Sequence, residues 1–315
     1  VTTGIRNTLI GGIAGDALTT GNNNTVLGFN ALSADTLGDR AVAIGVDALA
    51  AQNFTTTTDN YNIGIGFQAG AAVTTGQNNT IIGGLCGDAI DTASNNTAVG
   101  RSALSADCGD SNVAVGYLAG NATTGNQNTL VGSLAGDAIT SGGGNTIIGY
   151  NNGAPAVDNN FSIIIGTGVT GVGGDNFTFG RGSIDSNIAF GATSITAPSD
   201  ERYKESIADS TAGLSFINDL RPVTFQWKKE KDIPSDHRAY VEGSDNRVIN
   251  DYTNHGFIAQ EVKAAIDNHA ELKDGFDMWM EDPIDGRQRL GPAALIPVLV
   301  KAIQELSAEI ETLKS

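Results

Sequence analysis

The chain has 315 residues, a net charge of −17 and an aromatic content of only 6%. That length accommodates two ordinary domains, and an acidic chain lacks the Lys and Arg clusters that neutralise phosphates, which excludes nucleic acid as a partner. No apolar run reaches the roughly 20 residues of a membrane span, so no membrane insertion is expected. The chain starts at Val1 with no signal-peptide pattern and is expected to be a fragment of something longer. Composition divides it near Pro198. Residues 1–198 carry four Arg against thirteen Asp and no Lys, Glu, His or Trp, whereas residues 199–315 carry fourteen Lys and Arg against twenty-two acids.

The first element is a repeat. The unit Asn-Thr-apolar-apolar-Gly, or a close variant, closes on Gly11, Gly28, Gly45, Gly66, Gly83, Gly100, Gly116, Gly132, Gly149, Gly166, Gly180 and Gly191, mostly 16 or 17 residues apart. Asn stands four residues before the glycine in ten of the twelve copies. The Val, Ile and Leu centre of each unit suits a short strand, and the glycine predicts positive φ or close backbone approach. The Ala-rich remainder, ending in "TTG" or "SAD", reads as a turn. Residues 1–192 are therefore expected to form an all-β repeat solenoid, with the recurring Asn laddered between coils. Cys86 fills a slot held elsewhere by Ala14 or Ala135 and is expected as a small buried thiol, with no disulfide to Cys108.

"RAVAIGVDALA" (residues 40–50) resembles the head repeats of trimeric autotransporter adhesins, and the longer units resemble the β-helical shafts of phage tail fibres. The resemblance implies three parallel chains burying their coils against one another, a homotrimer. It suits a coil of 17 residues, which hides little apolar surface alone.

After a linker and junction at 193–198, the pattern becomes mixed α/β. "LSFINDLRPVTFQWK" predicts a helix, a Pro-marked break and a strand, and "HGFIAQEVKAAI" predicts a strand entering a helix. In the last segment Ile296, Leu299, Ile303, Leu306, Ile310 and Leu313 alternate by three and four, a heptad seam that predicts a coiled-coil-like helix. Packing against its own domain is the alternative reading of that seam. Ile at a with Leu at d favours two strands in simple parallel coiled coils, which disagrees with three.

"SDERYK", "LRPVTFQWK", "GFIAQEV" and "LIPVLVKAIQEL" stand in the order found in the intramolecular chaperone domain of phage tail spikes and fibres, and residues 199–315 resemble that self-cleaving family, first associated with endosialidase tail spikes. The resemblance implies an α+β chaperone domain that trimerises, templates the solenoid and cuts itself off between Pro198 and Ser199. Ser199 would then be the nucleophile and Lys204 its general base, within a motif set that includes Asp200, Arg202, Gly256, Ile258, Ala259, Gln260 and Glu261. Residues five apart lie about 140° from facing on a helix and on opposite faces of a strand. The pair must then meet across a turn or between chains. Ser199 as a helix cap, with Lys204 solvated, is the competing reading.

Other sites are weaker. Asp16, Asp88 and Asp137 share one repeat position but come from distant coils, which suits turn capping better than calcium. His237, His255 and His269 show no metal spacing, although His255 is a candidate helper of Lys204. No metal and no cofactor is expected, since the glycines belong to the repeat and not to a phosphate loop. Phe29, Phe54, Tyr61, Phe67, Tyr117, Tyr150 and Phe161 read as scattered, with no platform for sugars, and residues 50–61 are the best candidate binding loop. The sequence thus points to a homotrimeric virion tail fibre, assembled in the host cytoplasm and acting outside it on a host-surface receptor, a glycan among the candidates. A polysaccharide-degrading tail spike would need paired carboxylates, and residues 1–198 contain no Glu. A bacterial surface adhesin with a retained chaperone cap is the third reading.

Overall fold

The computed structural model describes residues 2–283 and 286–315, and the chain divides after Asp200 into two compact units. In the first, Thr8–Ile10, Thr25–Leu27, Val42–Ile44, Ile63–Ile65, Thr80–Ile82, Thr97–Val99, Val113–Val115, Thr129–Val131, Thr146–Tyr150, Ile163–Thr167 and Asn176–Arg181 pair in parallel order. Ile184–Ala189 ends the sheet antiparallel to the last of these. Register is like on like, with Thr80 opposite Thr97, Ile81 opposite Ala98 and Ile82 opposite Val99. This is the expected β-solenoid, of about ten turns.

Three requirements explain why the repeat has these residues. The second residue of these strands points inward and its neighbours outward, so Val26, Ile81, Leu130, Ile147 and Ile164 are fully buried. Burying an Ile or Leu there contributes roughly 1.5–3 kcal/mol. Volumes are balanced within some coils and between neighbouring coils in others, as where Gly120 faces Leu104 and Leu130. Where the strand centre is large, at Ile81 or Leu130, the residue six positions on is Gly87 or Gly136. Where it is Ala43 or Ala98, that residue is the buried Leu49 or Leu104.

The closing glycine meets the second requirement. Gly83 has φ +138°, and an added Cβ would strike the carbonyl of Gly100 one coil on. Gly11, Gly28, Gly66 and Gly100 repeat both features, so the conformation and the close approach expected from sequence both occur.

Third, the Asn residues form a ladder. Asn79 accepts from the backbone N–H of Asn96 at 2.9 Å and donates to the Ala93 carbonyl at 2.9 Å, and Asn62 serves Asn79 and Gly76 in the same way. These side chains are fully buried, so the backbone groups they satisfy have no water to replace them.

One coil is longer than the rest, between Gly45 and Gly66. The core position that holds Leu18, Val73, Ile90 and Ile139 elsewhere carries Gln52 in that coil and Asp35 in the coil before it, both fully buried. Gln52 Nε2 donates to Asp35 Oδ2 at 2.7 Å, while the N–H groups of Gly38 and Phe54 donate to Asp35 Oδ1 at 3.1 Å. This satisfied network fastens the extra residues, and the short strands Gly38–Asp39 and Thr58–Asp59 pair beside it. Cys86 and Cys108 are buried and free, and burial pushes each thiol up to about 12.

The second unit is a small α+β arrangement. Helices α1 (Leu214–Asp219), α2 (Ala259–Asn268) and α3 (Leu295–Lys314) accompany two antiparallel pairs, Val223–Phe225 with Asn254–Gly256 and Trp279–Glu281 with Gln288–Leu290. Its core gathers Phe216, Val262, Ile266, Met278, Leu295 and Val298.

Gly83→Ala is expected to destabilise the solenoid by about 3 kcal/mol or more, through left-handed strain plus backbone collision. Gly84→Ala, with nothing within 4 Å of the added Cβ, should change stability by less than about 0.5 kcal/mol. Thermal unfolding of the two variants beside the native chain checks the contrast.

Candidate functional site

The junction lies where the sheet ends. Asn187 and Thr196 exchange backbone hydrogen bonds at 2.8 and 2.7 Å, and beyond them Pro198 and Ser199 run without helix or strand, both exposed. Asp200 is half-buried. A single 3₁₀ turn, Glu201–Tyr203, follows, and the Lys204 N–H donates to the Glu201 carbonyl at 2.9 Å. One tight turn therefore separates Ser199 from Lys204, and Arg202 and Lys204 are exposed. An exposed, irregular segment presents its peptide bonds for cutting more readily than a paired strand does.

Of the motif residues in the second unit, Gly256 to Glu261 lie where the strand Asn254–Gly256 leads into α2. His255, in the strand Asn254–Gly256, faces Thr224 across the antiparallel pair. Ile258 is the residue before α2, and Ala259, Gln260 and Glu261 form the first turn of that helix. Glu261 pairs with Arg221, whose Nε donates to Oε2 at 3.0 Å and whose Nη2 donates to Oε1. The bidentate pair joins "LRPVTF" to "FIAQE" and holds the Glu261 carboxyl below its usual range. Both side chains are well exposed, so the pair fixes geometry more than it adds stability.

Two further links were not evident from sequence. His269 is buried against the edge of Phe216, with ring centroids 5.3 Å apart. Its Nε2 lies 2.9 Å from Asp219 Oδ2, and its Nδ1 lies 3.3 Å from Glu271 Oε1. Glu305, on α3, accepts at 2.7 Å from the N–H of Leu214 and so caps the start of α1. Neither link has a sequence signature, since the partners are 50 and 91 residues apart.

Helix α3 has two apolar stripes. Leu295, Val298 and Ala302 are buried in the domain core. The heptad seam is a different stripe, and it stays open: Ile296, Leu299, Ile303, Leu306, Ile310 and Leu313 are all exposed, Ile303 by 65%. Packing against its own domain thus uses the residues beside the seam. Among the described residues, no group of three or more His, Cys, Asp or Glu is arranged to hold a metal ion.

The Asp219 hydrogen bond raises the His269 pKa above its ordinary 6.5, burial opposes it, and Glu271 adds to the rise. A raised folded-state value means stability that is present below about pH 6.5 and lost as pH rises through the folded pKa. The second unit is therefore expected to melt at a lower temperature at pH 9 than at pH 6. His269→Gln should flatten that slope, as thermal melts followed by Trp fluorescence would show.

Residues 199–271 match the family model for the chaperone of endosialidase. No curated protein and no solved structure matches the chain. The family is associated with phage tails, and no helix among the described residues is long and apolar enough to cross a membrane. With a β-solenoid ahead of that domain, the chain has the build of a tail-fibre- or spike-like protein whose C-terminal domain, matched over residues 199–271, is an intramolecular chaperone.

Proposed function

We propose that the chain is a homotrimeric fibre for attachment to a host cell surface, and that its C-terminal unit trimerises, sets the register of the solenoids and then cuts the chain between Pro198 and Ser199. The observation that carries this reading is a pair of apolar faces left open on the single chain. One is the α3 seam. The other is the outward third position of the solenoid strands, an unbroken aliphatic column that includes Ile10, Leu27, Val115, Ile148 and Ile165, each more than a third exposed.

Monomers rarely leave contiguous apolar surface of this extent uncovered. A column with one aliphatic residue per coil is complementary to a copy of itself lying parallel and in step. A heptad seam is likewise complementary to copies of itself. Trimer assembly is what the matched family implies.

Cleavage follows from the same reading. Ser199 Oγ attacks the carbonyl carbon of Pro198 while the neutral Lys204 amine takes the hydroxyl proton. The Pro198–Ser199 bond then breaks, with the departing Ser199 amine receiving a proton, and water releases the acyl group from Oγ. Lys204 must be neutral to serve as base, which requires desolvation or a nearby cation. Since Lys204 is exposed in the single chain, the proposal places that desolvation in the assembled trimer.

Freshly expressed native chain and Ser199→Ala, run boiled and unboiled on a denaturing gel, test both parts. The expected result is two fragments from the boiled native chain, one intact band from boiled Ser199→Ala, and a trimer-sized band from unboiled samples. An intact native chain would remove the cleavage step and leave a permanent cap, and a monomer in every unboiled lane would remove the fibre.

A further inference from the structure

The solenoid gathers aromatic residues that are far apart in sequence. Phe29, Phe67, Tyr117 and Tyr150 each follow a closing glycine, so they occupy the same place in different coils. Backbone bonds connect that place coil to coil: the Asp47 N–H donates to the Phe29 carbonyl at 3.0 Å, and the Gln68 N–H to the Val46 carbonyl at 2.9 Å. Further along, Leu134 donates to the Tyr117 carbonyl at 2.8 Å, and Asn151 to the Ser133 carbonyl at 3.0 Å. The four rings therefore stand in one column, exposed by 57, 53, 44 and 55% in chain order. With neighbouring strands roughly 4.8 Å apart, the successive rings are about 10, 14 and 10 Å apart. Read from sequence these aromatics were scattered; the coil period aligns them.

The column differs from the aliphatic one two residues earlier in each coil. It is interrupted by the small rungs Gly84 and Ser133, and planar polar groups accompany its rings. Asn30 Nδ2 donates to Asp47 Oδ1 at 2.8 Å beside Phe29, and Gln68 follows Phe67. The Arg101 guanidinium lies 5.7 Å from the Tyr117 ring centroid. A flat copy of the same sheet would leave the gaps at Gly84 and Ser133 unfilled and these polar groups without water. An extended sugar chain suits both features: the C–H faces of its rings stack on aromatic faces, and its hydroxyls both donate and accept with amides, carboxylates and guanidinium groups.

We infer that this column is a binding track for a linear, neutral polysaccharide. The inference rests on the attachment reading and adds to it the residues and the ligand class. Neutrality follows from charge, because four Arg against thirteen Asp in residues 1–198 repel a polyanion.

The test is an array of immobilised linear oligosaccharides, neutral and polyanionic, probed with fluorescently labelled full-length chain. Phe29→Ser/Phe67→Ser and Tyr117→Ser/Tyr150→Ser are compared with it, and the mass of each assembly is measured in parallel. The expected result is binding to neutral glycans, weakened about ten-fold or more in each variant, with an unchanged assembly mass. Equal binding by the variants would overturn the track and leave the attachment reading standing. Binding to polyanions alone, or a variant whose assembly falls apart, would also overturn it, the latter making the column a contact between copies. No bound glycan from the native chain would remove both the track and glycan attachment.

Discussion

Every feature of the first unit depends on one constraint: a coil of 16 or 17 residues cannot satisfy its own backbone. Its three-residue strand has hydrogen-bonding partners only in the coils before and after it, and its interior has room for only a few side chains. The closing glycine lets the carbonyl of the next coil approach. The Asn ladder pairs backbone groups that the turns leave behind, as when Asn79 takes the Asn96 N–H and the Ala93 carbonyl. Removing one such side chain leaves two buried polar groups unpaired, each worth about 1–3 kcal/mol. Stability is then a sum of like contributions between neighbouring coils, as in other repeat architectures.

The same uniformity makes register ambiguous. From coil to coil the first strand position is mostly β-branched and the third aliphatic, as where Thr8 faces Thr25 and Ile82 faces Val99, so chains that associate through the aliphatic column lose little by slipping one coil. Parallel association between chains is also slow to nucleate and leaves strand edges exposed meanwhile. In the proposed assembly a separate C-terminal unit resolves this, because three α3 seams brought together hold the solenoids at high local concentration and in one register. The polar Asp35–Gln52 pair and the long coil it fastens occur once in the solenoid, so they also mark a register that the other coils do not.

Much of this was legible in the sequence because its signals are linear. A glycine every 16 or 17 residues, an Asn four before it and an apolar centre read directly as coils, and the three-four alternation from Ile296 to Leu313 reads as a helix with a seam. What was not legible depends on contacts between residues distant in the chain. The insertion between Gly45 and Gly66 shifts the count, so Phe29 and Phe67 look unrelated although two coils separate them. His269 with Asp219, and Glu305 with the start of α1, are pairings that only tertiary packing creates. The roles proposed for Ser199 and Lys204 came from family resemblance, since a spacing of five places two side chains together on neither a helix nor a strand.

The central claim is that the open apolar faces are contacts between copies. Sedimentation equilibrium of the full chain carrying Ser199→Ala, which keeps the two units joined, tests it most directly beside the same chain with Ile303→Glu and Leu306→Glu. The account predicts three times the 32.4 kDa chain mass for the first and a shift toward the single-chain mass for the second. A single-chain mass for the first, or a trimer that the two glutamates leave intact, would contradict it.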